Sequence, residues 1–187
     1  MTIPNLLTLL RLILIPVFVS QLYYAQFAWA LVTFFLAGLS DAIDGFIARR
    51  FNQASEIGKV LDPIADKLLM TTAFIVLSLP QLIPPSKYLP VPFWITAAVI
   101  ARDVLIIVVA GAIFMTTSFR GFRPSFWGKL STSIQVLSVL LILIAVNFPA
   151  LGDLYLPFIY PLVFLFAAIS GFHYLYFVSR LMKQERA

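Results

Sequence analysis

Long apolar runs alternate with short polar or proline-rich breaks along this chain. A helix needs about 20 mostly apolar residues to cross a bilayer. Six runs qualify: about Leu6–Tyr24, Phe27–Ala48, Ile64–Leu82, Phe93–Met115, Phe126–Phe148 and Pro157–Leu181. The pattern predicts an all-α membrane protein with six transmembrane helices. "PQLIPPSKYLPVP" (Pro80–Pro92) is expected to break the third helix from the fourth, and "NFPALGDLYLP" (Asn147–Pro157) the fifth from the sixth, since proline and glycine clusters punctuate regular structure.

Composition agrees. The chain is 61% hydrophobic and only 11% charged, against about 25% charged in a soluble domain. Its 187 residues, without a visible repeat or a polar region, suggest a single domain over 1–187. Zero cysteines exclude disulfide and thiol chemistry. The opening "MTIPNLLTLLRLILIPVF" has neither a positive leader nor a small-residue cleavage site, and Arg11 interrupts its apolar run. It reads as retained structure rather than a signal peptide.

A net charge of +5 raises nucleic acid as a partner. The basic residues do not form one stripe, so that partner is rejected. They cluster instead after every second run: Arg49, Arg50 and Lys59, then Arg120, Arg123 and Lys129, then Arg180, Lys183 and Arg186. The alternate connections carry only Lys87. The excess of basic residues in cytoplasmic loops then places both termini, and the Asp41–Asp66 segment, on the cytoplasmic side. Tyr23, Tyr24, Tyr88, Trp94, Trp127 and Tyr155 fall near the expected interfaces, where amphipathic rings anchor a bundle.

Five of the eight acids lie between Asp41 and Lys67: Asp41, Asp44, Glu56, Asp62 and Asp66. Asp41, Asp44, Gly45 and Ala48 stand at relative positions 0, 3, 4 and 7, which share one face of a helix. Asp62 and Asp66 share another if a helix has begun by Asp62. Pro63 suits the first turn of that helix, with Asp62 as its cap. Crowded carboxylates repel and are costly near lipid. Arg49 and Lys67 offer ion pairs, and divalent cations offer more, because hard oxygen donors suit Mg²⁺ or Mn²⁺. Four carboxylates can bridge two such ions, which then attract phosphate. Gly45 and Ala48 leave space for a ligand against the backbone, and Gly58 lets a loop approach it. A solvated loop with capping acids explains any one aspartate, but not the whole constellation.

The segment resembles the signature of the CDP-alcohol phosphatidyltransferase family, D-x2-D-G-x2-A-R-x8-G-x3-D-x3-D, with every gap matching. The resemblance implies a phosphatidyl transfer from CDP-diacylglycerol to an alcohol acceptor, with release of CMP. It implies a metal site for two cations, Mg²⁺ or Mn²⁺, at the cytoplasmic ends of the second and third helices, held by Asp41, Asp44, Asp62 and Asp66. Asp66 would also be the general base. Gly45, Ala48, Arg49 and Gly58 would bind the nucleotide. A multi-pass protein among membrane lipids, in the bacterial inner membrane and as a homodimer, is implied as well.

Two further stretches extend the resemblance. Pro4, Asn5, Thr8 and Arg11 match the P-N-x-x-T-x-x-R opening of glycerophosphate-type members, which adds Asn5 and Thr8 to the nucleotide site. The plainer reading of this opening is a capped helix start with a snorkelling arginine. "GKLSTSIQ" (Gly128–Gln135) is similar to a G-K-x-x-T-x-x-Q stretch, with Lys129, Thr132 and Gln135 on one polar face.

The acceptor is less defined. Arg102 and Asp103 fall inside the fourth helix, where charges pair or face a cavity. Being adjacent, they are expected to find different partners. Arg102 either grips a phosphate or forms a structural ion pair. Arg120, Arg123 and Lys129 are further phosphate-binding candidates; as loop charges, Arg120 and Arg123 also serve topology. The small size and the N-terminal pattern resemble phosphatidylglycerophosphate synthases, whose acceptor is glycerol 3-phosphate. Many of those carry a second arginine where this chain has Ala110. "ARDVLII" and "RPSFWGKLSTSIQ" also look like cardiolipin synthases of the same family, which use phosphatidylglycerol. His173, the single histidine, is expected to be a hydrogen-bonded core or interface group, and Ser170 and Gly171 a small-residue helix contact. A transporter with the acids as its ion path is the alternative of a different class. It would need polar residues through several spans near mid-membrane, whereas these acids gather at one end.

Overall fold

The computed structural model describes residues 3–51, 56–116 and 126–184, with side chains described for residue 6 and for 8–40, 61, 63–111 and 126–179. These residues form six helices: α1 (Ile3–Tyr23), α2 (Phe27–Phe51), α3 (Glu56–Leu77), α4 (Phe93–Thr116), α5 (Phe126–Asn147) and α6 (Pro149–Gln184). No strand occurs among the described residues. α1 packs on α2 and α3, α4 on α3 and α6, and α5 on α2 and α6.

The register of the contacts fixes the helix directions. Thr96 Oγ1 donates to the Phe74 carbonyl at 3.1 Å, and Lys67 Nζ reaches Asp103 at 2.6 Å. Positions that climb on α3 fall on α4, so the two run antiparallel. Tyr160 Oη donates to the Tyr88 carbonyl, the Phe164 ring meets that of Trp94, and Ser170 meets Arg102. These positions climb together, so α6 runs parallel to α4. Tyr155 Oη donates to the Leu141 carbonyl, and Gly152 lies against Ala145, so α5 and α6 are antiparallel.

That alternation sorts the interior by polarity. At one end lies the apolar core: Phe18 and Leu22 of α1, Phe34 of α2, Phe74 and Leu77 of α3, Ile95 of α4, Ile142 and Leu143 of α5, and Leu156 and Val163 of α6. The Phe18 and Phe34 rings meet there at 5.7 Å. At the other end lie most of the buried polar groups: Thr8, Arg11, Ser40, Arg102, Asp103, Ser131, Gln135, Ser138 and Ser170. α1, α2, α4, α5 and α6 thus each contribute apolar residues to one end and buried polar residues to the other.

Several boundaries differ from expectation. α3 starts at Glu56, so Pro63 lies inside the helix, not in its first turn, and Asp62 does not cap it. A proline keeps a helical φ and forfeits one backbone bond. The helix tolerates that loss while Ala65, Leu69 and Ala73 bury a stripe one turn further on. Gly58 and Lys59 are therefore helical rather than looped, as are Arg49 and Arg50 at the end of α2 and Lys129 near the start of α5. α6 starts at Pro149 and runs through Pro157 and Pro161, so "NFPALGDLYLP" breaks the chain only at Phe148. Pro149 loses nothing at a first helical position. Gly152 then admits close packing, because a Cβ there would stand 2.5 Å from the Ala145 Cβ.

"PQLIPPSKYLPVP" lacks helix but is part of the core. Ile83, Leu89 and Val91 are buried, and the Val91 N–H donates to the Leu77 carbonyl at 3.0 Å. Among the described residues, three helical segments are long and apolar enough to cross a membrane: Phe93–Gly111, Phe126–Asn147 and Pro149–Ser179. Thr8–Tyr23 and Phe27–Ser40 are shorter apolar stretches. α3 has 22 residues, about 33 Å at 1.5 Å per residue, but its first twelve carry Glu56, Lys59, Asp62, Asp66 and Lys67.

Candidate active site

Asp41 and Asp44 stand three apart within α2, and Asp62 and Asp66 four apart within α3. Both stretches are continuous helix, so each pair shares a face. The condition that α3 has begun by Asp62 is met. Asp66 is half-buried. The side chains of Asp41, Asp44, Asp62, Gly45, Ala48, Arg49, Gly58 and Asn5 lie outside the described set, though their backbones are helical; Arg120 and Arg123 lie outside the described residues altogether. No group of three or more His, Cys, Asp or Glu gathers among the described residues. The donor set itself fits a hard divalent cation: carboxylates only, paired on two successive helices.

One residue past Asp66, Lys67 leads into a buried network. Its Nζ lies 2.6 Å from Asp103 Oδ1. Arg102 Nη1 donates to the same oxygen at 2.6 Å. Arg102 Nε and Nη2 donate to Ser170 Oγ at 3.1 and 2.8 Å, and Nη2 also donates to the Gly128 carbonyl at 3.2 Å. Arg102 and Asp103 therefore share a bond instead of seeking separate partners. The arginine stem is flexible enough to fold its guanidinium back onto the next residue's carboxylate. Every nitrogen of the Arg102 guanidinium is engaged by protein, which favours the structural ion pair over a phosphate grip. Lys67, expected to neutralise the acidic segment, bonds α4. Ser170 and Gly171 do meet α4: the Ser170 hydroxyl accepts from Arg102, and the Gly171 face approaches the Arg102 stem. Next to this contact an apolar groove of about 190 Å³ runs between α4 and α6, lined by Ala98, Leu105, Phe164, Ala168 and Leu175 among others.

The N-terminal pattern is partly visible. Thr8 and Arg11 are both fully buried. Arg11 therefore does not snorkel, because its face of α1 turns into α2 and α3 rather than toward an interface. On α5 the expected polar face divides. Lys129 is exposed, Thr132 Oγ1 donates to the Gly128 carbonyl at 3.2 Å, and Gln135 is buried. The buried face instead runs through Ser131, Gln135 and Ser138. Ser138 Oγ donates to the Gln135 carbonyl at 2.7 Å. Ser131 Oγ and both amide atoms of Gln135 are buried without a hydrogen-bond partner. Each such group costs about 1–3 kcal/mol when left unsatisfied. Sequence reading missed Ser131. The signal was the 0, 4, 7 spacing of Ser131, Gln135 and Ser138, which competes with the gaps-of-three pattern on the same turns. His173 is half-buried, and its Nδ1 is also without a hydrogen-bond partner. The neighbouring Ser170 hydroxyl, one turn away, is taken by Arg102.

The chain matches the family model for CDP-alcohol phosphatidyltransferases over residues 1–174. It is 34% identical over 154 residues to a probable phosphatidylglycerophosphate synthase of Mycobacterium tuberculosis (H37Rv), covering 78% of this chain and 67% of that one. It is 35% identical over 144 residues to the CDP-diacylglycerol--glycerol-3-phosphate 3-phosphatidyltransferase of Salmonella typhimurium, covering 73% and 74%. It is 33% identical over 192 aligned positions to the rat cardiolipin synthase (CMP-forming), covering 94% of this chain but only 61% of that protein. Paired aspartates on successive helices, a polar bundle end and a match across nearly the whole length lead to one assignment: the chain belongs to the CDP-alcohol phosphatidyltransferase family.

Proposed function

We propose that this protein transfers a phosphatidyl group from CDP-diacylglycerol to an alcohol, releasing CMP, and that the acceptor is glycerol 3-phosphate. The observation that carries the reading is the eight-position Asp41–Asp66 signature, set on two continuous helices in a matching family member. The acceptor oxygen forms a bond to the phosphorus that bears the diacylglycerol, and the diphosphate P–O bond breaks. CMP leaves with the electron pair. Asp66 takes the proton of the acceptor hydroxyl, for which a carboxylate need only lie within hydrogen-bond reach. Asp41, Asp44, Asp62 and Asp66 would hold two divalent cations, Mg²⁺ or Mn²⁺, which supply charge neutralisation at the diphosphate when bound. Gly45, Ala48, Arg49 and Gly58, with Asn5 and Thr8, would bind the nucleotide.

The polar end of the bundle supports a site at the membrane surface, where a head group reacts while its tails stay in lipid. The same polarity favours an interfacial enzyme over a transporter. In this reading all six helices cross the membrane, the polar end and both termini are cytoplasmic, and the protein is a single-domain homodimer of a bacterial inner membrane. A second acceptor, phosphatidylglycerol, is favoured by the cardiolipin synthase relative, whose match covers 94% of this chain. The test is release of CMP from CDP-diacylglycerol by purified protein in detergent, with glycerol 3-phosphate, phosphatidylglycerol, inositol phosphate or serine added in turn. Glycerol 3-phosphate should support the fastest release, and a chelator should stop it until Mg²⁺ or Mn²⁺ is restored. Absence of CMP with every acceptor would remove the reading.

A further inference from the structure

Below the layer of Asp66, the interior of the bundle holds hydrogen-bonding capacity that the protein does not use. Lys67 meets Asp103, and Arg102 meets the Gly128 carbonyl, so Asp66 stands close to the level of Gly128. Ser131 follows Gly128 by three residues, about 4.5 Å along the axis, and Gln135 by seven, about 10 Å. Helical side chains lean toward the N-terminus. The Gln135 amide therefore leans back toward Ser131 and the Asp66 layer. Both residues lie within 1% exposure, and Ser131 Oγ, Gln135 Oε1 and Gln135 Nε2 have no partner. Native structures rarely leave such buried atoms unsatisfied unless something else binds them.

We infer that Ser131 and Gln135 bind the non-reacting hydroxyl of the acceptor's glycerol group. The inference rests on the phosphatidyl-transfer reading and deepens it. The chemistry selects the ligand. A hydroxyl and a carboxamide are neutral and offer both donors and acceptors, which suits an alcohol rather than a phosphate or an acyl chain. The nucleotide residues of the proposed site all lie on α1, α2 and α3, whereas Ser131 and Gln135 approach from α5. Glycerol 3-phosphate and phosphatidylglycerol both present a second glycerol hydroxyl next to the reacting one. A site built to bond a hydroxyl also rejects the analogue that lacks it.

The experiment uses the full chain in detergent micelles with whichever of these two acceptors the wild type turns over. The competitor is the same acceptor without its secondary hydroxyl: 3-hydroxypropyl phosphate, or the corresponding phosphatidyl-propanediol. Wild type should prefer the natural acceptor by about tenfold or more in kcat/KM, the worth of one hydrogen bond to a buried site. Gln135→Met and Ser131→Ala should each shrink that preference toward unity and raise KM for the acceptor. KM for CDP-diacylglycerol should hold within about twofold, and the melting temperature should stay level or rise, because an apolar side chain leaves no buried amide unpaired. Ser131→Ala deletes a single oxygen and guards against a folding artefact in the larger change. An unaltered preference in both variants overturns the inference alone. So does a rise in KM for CDP-diacylglycerol instead, or an activity loss that tracks a falling melting temperature. A wild type that releases no CMP with either acceptor overturns the transfer reading and this inference together.

Discussion

Arg102 provides the sharpest quantitative test, because its bonds assign different costs to three neighbouring substitutions. Its side chain is 6% exposed, that of Asp103 is 7% and that of Lys67 is 34%. Replacing Arg102 by Met keeps the stem and deletes the bonds to Ser170, the Gly128 carbonyl and Asp103. Hydrogen bonds between helices of membrane proteins contribute about 0.6 kcal/mol each on average and up to about 1.7. Charge-assisted bonds contribute about 1.5–3. Two helix-crossing partners and one ion pair then sum to about 3 kcal/mol. Asp103 is not stranded, because Lys67 still holds the same oxygen. Asp103→Leu is worse: it leaves two cations facing each other around the lost carboxylate, and breaking a buried pair costs about 3–5 kcal/mol. Lys67→Met should cost least, about 1 kcal/mol or less, since the lysine is partly solvated and Arg102 remains with the acid. The expected order of destabilisation is Asp103→Leu, then Arg102→Met, then Lys67→Met. The double variant Arg102→Met/Asp103→Leu should recover part of the loss, as an apolar replacement of a whole buried pair often does. Thermal unfolding of purified protein in detergent reads the order, and KM for the acceptor is measured alongside. An Arg102→Met protein with unchanged melting temperature but a tenfold higher acceptor KM would refute the reasoning, and would make Arg102 a ligand for substrate.

Other substitutions probe other parts of the molecule. Asp66→Asn should lower kcat by about 10² or more, the usual worth of a positioned base, with little change in CDP-diacylglycerol binding; retained turnover would remove Asp66 as the base. Gly45→Leu should abolish nucleotide binding in a CMP-competition assay while the protein still folds, and intact binding would place the pocket elsewhere. Gly152→Ala gains about 1 kcal/mol of helix propensity, yet it should lower the melting temperature because its Cβ would meet the Ala145 Cβ at 2.5 Å. Ala145→Gly should restore it, and a stabilised Gly152→Ala protein would show that α5 and α6 do not pack this closely.

Much of this molecule was legible in its order of residues. Apolar run length is a local property, and it placed α4 at Phe93 and α5 at Phe126. The gaps between Asp41, Asp44, Asp62 and Asp66 needed only the helical period to pair them. Prolines misled where their cost is small: Pro63 lies inside α3 rather than in its first turn, and Pro157 lies inside α6 rather than at its start. Only the tertiary structure decided the rest. Whether Ser131 or Thr132 turns inward depends on where α2 and α6 stand around α5. The Arg102 guanidinium finds Ser170, 68 positions away, because α4 and α6 run parallel at that level. "PQLIPPSKYLPVP" looks like a connection, yet it buries Ile83, Leu89 and Val91 because the apolar bundle end would otherwise stand open. Helical period and hydrophobicity act over a few residues and can be read along the chain, whereas burial and charge pairing arise between segments and exist only once the helices have packed.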